Sequence, residues 1–207
     1  GMPKGVLHKH SNLVATFFAV SVCVDGLFET DVHLSYLPLA HIFERMVEAA
    51  VLGCGGRIGF YQGDPRKLVE DVNALRPTIF AGVPKVYDRF KSTIDDALSK
   101  KNFIVKFFID LGFSSRKKEL EEGNVPKSWS LIFDDFRKKF GGNIRVMVSG
   151  GAPLSSECQD FLRMCFGCPF IQGYGLTETA AAGTIMLLSD NRPGNHIGGP
   201  VPSVEIK

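Results

Sequence analysis

Residues 144–154 read IRVMVSGGAPL, and this stretch decides the fold class of the chain. Its first half is a short run of β-branched and apolar residues, which is typical of a buried strand. Two glycines and a proline follow, so the strand is predicted to end at Ser149 and to lead through a turn into a helix. Ligands of open α/β sheets bind beyond the carboxyl ends of the strands. The stretch therefore predicts an α/β fold with a ligand-binding turn at 149–154.

Short apolar runs alternate with longer helical patterns along the rest of the chain, which favours a mostly parallel sheet flanked by helices. The other extended segments are predicted at 32–36, 57–61, 78–81, 169–172 and 183–186, and from Val204 onward. Two further segments carry apolar residues at helical spacing, which we interpret as core-facing stripes. They are Val86, Phe90, Ile94 and Leu98, and then Leu154, Cys158, Phe161, Leu162 and Cys165.

The composition limits the classes of function. The chain has 207 residues, of which 44% are hydrophobic and 22% are charged, as in folded soluble proteins. A formal net charge of +2 argues against a polyanion-binding surface, so no nucleic-acid partner is predicted. Five cysteines without a secreted-scaffold spacing favour a reducing compartment inside the cell. Cys165 and Cys168 form a C-x-x-C pair, but the histidine spacing does not complete a zinc site, so buried thiols are favoured.

Residues 100–140 differ from the rest of the chain in charge, because ten basic and six acidic side chains give them a net charge of +4. Their apolar residues also share a helical face: Phe103, Ile104, Phe107, Phe108 and Leu111. Two interpretations remain open. The favoured one is a helix packed in the fold with solvated basic residues around it. The other is a membrane-surface contact, for which basic residues beside exposed aromatic rings are suited.

A second glycine-rich motif, QGYGLTET at 172–179, follows the predicted strand 169–172. Its glycines let a ligand approach the backbone closely, while Tyr174 offers a flat ring and Thr177 and Glu178 offer a hydroxyl and a carboxylate. The opening GMPKGV contains another turn with Lys4, but it does not match a G-x-x-x-x-G-K-[ST] loop. Glycine-rich turns at neighbouring strand ends predict a slot for a nucleotide.

GMPKGV, SGGAPL and QGYGLTET, in this order and spacing, resemble the adenylate-forming superfamily of acyl-CoA synthetases, luciferases and adenylation domains. YLPLAHIFER at 36–45 and the segment rich in Phe and Lys narrow the resemblance to the long-chain fatty acid–CoA ligases. The resemblance covers essentially the whole chain. It implies that residues 1–207 are a central part of the large N-terminal, AMP-binding domain, with a helical, basic insertion at about 100–140.

The resemblance also implies an activity. The full-length enzyme is expected to join a fatty acid to AMP with release of pyrophosphate, and then to transfer the acyl group to coenzyme A with release of AMP. ATP, Mg²⁺ and CoA are the implied cofactor and substrates. A Ser/Thr/Gly-rich loop before Gly1, a Thr-Gly-Asp segment after Lys207 and the C-terminal domain are expected to lie outside the chain. The fragment alone is therefore expected to be inactive.

Individual roles are carried over from the motifs of the resembled family. Three residues are implied to be catalytic: His41 near the phosphates and acyl carbonyl, Thr177 on the α-phosphate, and Glu178 as the Mg²⁺ ligand. Lys4 is expected to pair with a phosphate or a nearby carboxylate, and Arg45 to stand at the mouth of the fatty-acid tunnel. The remaining nucleotide-binding residues are Gly151, Ala152, Pro153, Gln172, Gly173, Tyr174 and Gly175.

Alternatives to these assignments remain open. Tyr174 could be a core aromatic, Thr177 a helix cap, Glu178 a carboxylate favoured by a helix dipole, and His41 a core histidine. A medium-chain or aryl-acid CoA ligase or an amino-acid-activating domain would share the nucleotide motifs. A non-catalytic lipid-binding or scaffold protein could keep the same fold. A nicotinamide-binding protein is disfavoured, because neither motif supplies G-x-G-x-x-G.

The full-length protein is expected in the cytoplasm or at the cytosolic face of a membrane, with peripheral membrane contact.

Overall fold

The computed structural model describes residues 5–24, 26–194 and 196–207. Its strands are β1 Val32–Ser35, β2 Arg57–Phe60, β3 Ile79–Gly82, β4 Val146–Ser149, β5 Phe170–Tyr174, β6 Thr184–Ile185 and β7 Gly199–Pro200. They form one sheet in the order β2-β1-β3-β4-β5-β6-β7. The pairs from β2 to β5 are parallel, and β6 and β7 are added antiparallel. The predicted mostly parallel sheet is confirmed.

Helices cover both faces of this sheet. They are α1 His10–Cys23, α2 Ile42–Gly53, α3 Leu68–Leu75, α4 Pro84–Ser99, α5 Phe103–Glu121, α6 Ser130–Lys138 and α7 Ser156–Phe166. Because successive strand residues point to opposite faces, Met147 and Phe170 pack with α3, α4, α6 and α7, whereas Val148 and Ile171 pack with α1. The helix α2 lies beside α1 and contacts β1 and β2.

The larger core is rich in aromatic rings. The ring centroids of Tyr87 and Phe170 are 4.5 Å apart, and those of Phe90 and Phe140 are 4.4 Å apart. The predicted stripe of α4 is therefore a core stripe, with Phe90 and Ile94 fully buried. The Tyr87 hydroxyl lies 2.8 Å from the carbonyl oxygen of Val148, so α4 is tied directly to β4, the strand that leads into the first glycine turn.

Two structural predictions are wrong. No strand forms from Val204 onward; the last strand is Gly199–Pro200, which pairs with β6 and leaves the following residues in a turn. Pro200 is compatible with that position, because proline is tolerated in edge strands. The other error concerns the apolar face of residues 103–111. These residues are helical as predicted, and α5 packs in the fold through Ile109, Gly112, Arg116 and Leu120, but the predicted face is exposed. Phe103 is 81% exposed and Phe107 59% exposed, and only Ile109 of this stretch is buried.

The thiol prediction is confirmed for the C-x-x-C pair. Cys165 and Cys168 are both buried, as is Cys158. Burial raises the pKa of the Cys168 thiol to about 12. A thiol of this kind is almost entirely protonated at neutral pH, so these residues act as small apolar side chains in the core. Leu154 lies before α7 but is also buried in the core. The Ser155 hydroxyl caps α7 by accepting from the amide of Cys158 at 3.2 Å.

A buried carboxylate links the beginnings of three strands. Asp31, just before β1, accepts from the Nε of Arg145 at 2.8 Å and from the hydroxyl of Thr78 at 2.6 Å. The amide of Phe28 donates to its other oxygen at 2.8 Å. Burial acts to raise the pKa of Asp31, but these hydrogen bonds and the guanidinium charge overcome it and hold the pKa below its usual value.

We expect Asp31 to make the stability of the protein dependent on pH. A carboxylate whose pKa is depressed by folding stabilises the native state above its unfolded pKa of about 3.9, and that stability is lost as the pH falls through the folded value. Asp31→Asn should lower the free energy of unfolding at pH 7 by about 1–3 kcal/mol and flatten its decline below pH 4. Urea unfolding between pH 7 and pH 2 measures both effects. Asp64→Asn, at an exposed ion pair, is the matched control; an equal loss in both variants contradicts the prediction.

Candidate functional site

The two glycine-rich turns leave adjacent strands at the same edge of the sheet. β4 and β5 are parallel neighbours, and Ser149 lies opposite Gln172 in their register. The first turn follows Ser149, the last residue of β4, and the second follows Tyr174, the last residue of β5, so the two turns leave neighbouring strands. The amide of Leu154 also donates to the Oε1 of Gln172 at 3.4 Å, which joins the first turn to the second strand.

Glycine is required in these turns for two different reasons. Gly151 has a φ of +82°, which disfavours any residue with a side chain. Gly175 is needed for space, because a Cβ there would lie 1.7 Å from the carbonyl oxygen of Ala181. Ala180 and Ala181 themselves adopt φ values of 50° and 83°, which turn the chain back toward β6. The loop after Gly175 is thus closely packed on its own backbone.

A cavity of about 290 Å³ opens between these turns and the helices on the α1 face of the sheet. Gly151, Gly173, Gly175 and Thr177 line it at the strand ends. The opposite wall is apolar and comes from the two helices. It is formed by Val20 of α1 and Val24 directly after it, with Met46, Val47 and Ala50 of α2. One end of the cavity is therefore lined by glycine backbone and the Thr177 hydroxyl, and the other mainly by apolar side chains.

His41 lies where the two kinds of lining meet. It is the N-cap residue of α2, and its Nδ1 accepts from the amide of Phe43 at 3.2 Å. The residue is exposed and lines the cavity, so it is not a core histidine. A second histidine, His33 of β1, is fully buried. Its Nε2 lies 2.9 Å from the Oε1 of the buried Glu44 of α2, and this contact fixes α2 on β1.

Arg45 lies outside the cavity lining. It is exposed, and its Nη2 donates to the carbonyl oxygen of Leu39 at 3.1 Å, within the loop that precedes α2. Its role at the mouth of a tunnel stays a prediction. Lys4 falls outside the described residues.

Tyr174, Thr177 and Glu178 are all exposed, and of the three only Thr177 lines the cavity. Tyr174 is 51% exposed, which separates it from the core aromatics. Thr177 and Glu178 lie on the single 3-10 turn Thr177–Thr179. The hydroxyl that accepts a hydrogen bond at the start of this turn is that of Thr179, not that of Thr177. It accepts from the amide of Leu176 at 2.9 Å. Within the described residues the side chains of Thr177 and Glu178 are left available for a ligand. Ala152 and Pro153 are exposed beside them.

Gln172 is placed differently from its predicted role in a base pocket. Its side chain is buried, and its Nε2 donates to the Oε1 of Gln159 on α7 at 2.8 Å. The Oε1 of Gln172 also accepts the hydrogen bond from the amide of Leu154 described above. The side chain of Gln172 therefore holds the first glycine turn against α7.

The carboxylate of Glu178 is suited to a magnesium ion that also binds phosphate. Magnesium is commonly held by one or two carboxylates together with substrate phosphates. No group of three or more His, Cys, Asp or Glu side chains that could hold a metal unaided occurs in residues 5–24, 26–194 and 196–207.

Sequence reasoning missed the apolar wall of the cavity. Met46 and Ala50 are spaced four residues apart in α2 and could have been recognised as one helical face. Val20 and Val24 have the same spacing at the end of α1, where Val24 is the C-cap residue. The apolar faces of α1 and α2 both point toward the glycine motifs because of the way the two helices pack on the sheet. The spacing of residues in the sequence does not reveal this packing.

Comparisons with known proteins show the family to which the chain belongs. A family model described as AMP-binding enzyme matches residues 1–207. The chain is 42% identical over 209 residues to long chain acyl-CoA synthetase 7, peroxisomal, from Arabidopsis thaliana, covering 100% of this chain and 30% of that protein. It is 36% identical over 208 residues to fatty acyl-CoA synthetase A from Dictyostelium discoideum, covering 100% and 31%. The chain thus spans less than a third of the length of these curated relatives.

A solved structure shows the same fold. The crystal structure of an anthranilate CoA ligase in complex with anthranoyl-AMP superposes with a TM-score of 0.68 at 21% identity, covering 98% of this chain and 32% of that chain.

Proposed function

The chain belongs to the family of AMP-binding enzymes, and from this membership we propose that the full-length protein is an ATP-dependent long-chain fatty acid–CoA ligase. The proposed reaction converts a fatty acid, ATP and CoA into acyl-CoA, AMP and pyrophosphate. The names of the relatives support this choice of substrate, since they are synthetases of long-chain or fatty acyl-CoA. The 207-residue chain would contribute the nucleotide turns and part of the acyl pocket.

One observation carries the proposal: a single cavity is lined both by the glycine turns and by the aliphatic side chains of α1 and α2. A nucleotide phosphate at the turns and an acyl chain between the helices would meet there, with the carboxylate of the acid beside the α-phosphate. Holding two reactants in such an orientation accelerates their reaction without a covalent protein nucleophile. This agrees with the absence of a Ser-His-Asp pattern from the sequence motifs.

The proposed chemistry has two steps. A carboxylate oxygen of the fatty acid attacks the α-phosphorus of ATP; the bond between the α-phosphorus and the bridging oxygen breaks, and pyrophosphate leaves. The sulfur of CoA then attacks the acyl carbon, loses its proton to solvent, and AMP leaves with the oxygen of the mixed anhydride. Thr177 would donate to the α-phosphate, His41 would contact the acyl carbonyl or phosphates, and Tyr174 would stack on the adenine beside Gly151, Ala152 and Pro153.

Glu178 would hold Mg²⁺ at the phosphates. When bound, the ion neutralises phosphate charge and favours departure of pyrophosphate. The free, exposed position of the carboxylate supports this role. Gly173 and Gly175 would let the nucleotide approach the backbone, and Lys4 would pair with a phosphate or with a nearby carboxylate.

The proposal is tested by assaying the full-length protein for thioester formation with ATP, Mg²⁺ and CoA. Palmitate, octanoate and benzoate are supplied separately, so that the assay distinguishes a long-chain ligase from a medium-chain or aryl-acid ligase. We expect palmitate to give the highest kcat/KM and the 207-residue chain alone to give no turnover. Higher kcat/KM with benzoate, or no thioester with any acid, overturns the proposed function.

We also propose that the protein acts inside the cell, in the cytoplasm or at the cytosolic face of a membrane. The five free cysteines support a reducing compartment. Peripheral membrane contact would bring the enzyme close to long-chain acids, which partition into bilayers.

A further inference from the structure

The first half of α5 exposes an unusual amount of apolar surface. Five side chains take part, and Leu131 of α6 adds a sixth that is 87% exposed. We call them the α5 surface: Phe103, Ile104, Phe107, Phe108, Leu111 and Leu131. Contiguous exposed apolar patches on a soluble protein commonly mark a site of interaction with a protein or a membrane.

The exposed residues lie on the outer side of the helix. The core-facing side is marked by Ile109, Gly112, Arg116 and Leu120, all of them buried. At 3.6 residues per turn, Phe107 and its neighbours four residues before and after it lie roughly half a turn away from that side. Leu131 is continuous with them, because Phe108 and Leu131 line the same groove between α5 and α6. The α5 surface therefore faces outward from the sheet.

Basic side chains border this apolar surface. Lys100 and Lys101 precede the helix and Lys106 lies on its flank, whereas Asp110 is the single acid between residues 100 and 111. Lys117 and Lys118 follow at the other end, and all five lysines are exposed. Lys106 donates to the carbonyl oxygen of Ser99 at 3.0 Å, and Lys101 lies 3.8 Å from Asp135.

We propose that the α5 surface docks on a membrane that contains anionic lipids. Aromatic and aliphatic side chains beside lysines match the boundary between acyl chains and anionic head groups. A second copy of this chain is a poorer partner, because a twofold contact would place the same lysines of both copies together. No helix in the described part of the chain is long and apolar enough to cross a bilayer. The helix would therefore lie in the plane of the interface. The proposal is independent of the ligase activity.

The test is co-sedimentation of the full-length protein with vesicles of phosphatidylcholine alone or with 30% phosphatidylserine. We expect stronger binding to the anionic vesicles and a decrease with added salt. Phe103→Ser combined with Phe107→Ser should reduce the bound fraction about tenfold, since each ring removes apolar surface from the contact. The matched control is Phe60→Ser, which removes a ring that is 76% exposed on β2 and should leave binding unchanged.

Several outcomes would overturn the proposal. Equal binding by the double variant and the parent does so, as does binding that is insensitive to phosphatidylserine. A double variant that melts several degrees lower, or that changes from dimer to monomer in gel filtration, would show that protein covers the surface. Turnover of octanoate, a soluble acid, is measured in parallel. If the double variant still turns over octanoate but no longer binds vesicles, the membrane proposal is supported. The same activity measurement shows separately whether the proposed ligase function holds.

Discussion

Replacing Glu178 by glutamine is expected to slow acyl-adenylate formation by the full-length protein at least about 100-fold, in line with losses measured for single groups that stabilise charge in a transition state. The carboxylate lies on the exposed turn Thr177–Thr179, next to the cavity and free of contacts within the described residues. Glutamine keeps the size of the side chain but removes the negative charge that Mg²⁺ requires. The fold should be unaffected, because substitutions at exposed positions usually change stability by about 0.5 kcal/mol or less.

The measurement for Glu178→Gln is ATP–pyrophosphate exchange dependent on palmitate, at several Mg²⁺ concentrations. Raising Mg²⁺ should recover part of the rate if the carboxylate binds the ion. Glu70→Gln, at an exposed acid in the first turn of α3, is the control and should behave like the parent. Exchange by Glu178→Gln within about threefold of the parent, a difference of less than 1 kcal/mol, would exclude Glu178 as the metal ligand.

The second large effect is expected from Gly175→Ala. The added methyl group would lie 1.7 Å from the carbonyl oxygen of Ala181, so the backbone of one segment must move by more than an ångström to admit it. A misplacement of about 1 Å at a site of positioned reactants can cost about 100-fold in rate. We expect a comparable loss of exchange activity, together with a destabilisation of about 1–3 kcal/mol from overpacking.

Gly199→Ala provides the matched control for the glycine experiment. A Cβ at Gly199 meets no atom within 4 Å, so this variant should retain the activity and melting temperature of the parent. Isothermal titration with AMP separates the two effects of Gly175→Ala, because displacement of the loop should weaken nucleotide binding even where the protein remains folded. Unchanged AMP affinity and exchange rate would show that the loop tolerates the shift and does not position the nucleotide.

The sheet and the adjacency of the glycine turns could be predicted because their signals are local. A β-branched run followed by Gly-Gly-Ala-Pro fixes the end of β4 at Ser149, and parallel strands carry their carboxyl ends to one edge. The strand Gly199–Pro200 has only two residues and contains a proline, so it gives no such signal. This strand forms because the free edge of β6 pairs with it, and that pairing depends on the tertiary structure.

The packing of α5 shows a different limit of prediction from sequence, which concerns the side of a helix that is buried. Apolar residues surround the first turns of that helix, so the helix itself is predicted correctly while its buried side is not. Only Ile109 among residues 103–111 finds a place in the core. The residues that line the cavity on α1 and α2 show the same limit, since periodicity identifies a face but not the neighbour it meets. The resemblance implies a place for Gln172 in the base pocket, whereas in the structure its side chain is buried and donates to Gln159.

The division of the cavity into a backbone-lined end and a helix-lined end has an evolutionary consequence. Side chains such as Val24 and Ala50 can be exchanged for larger or smaller ones without touching the turns that would grip the nucleotide. Under the proposed function, preference for one acid over another could then drift between related enzymes while the activation step is conserved. Diversification of acyl specificity would require only a few substitutions on two helices.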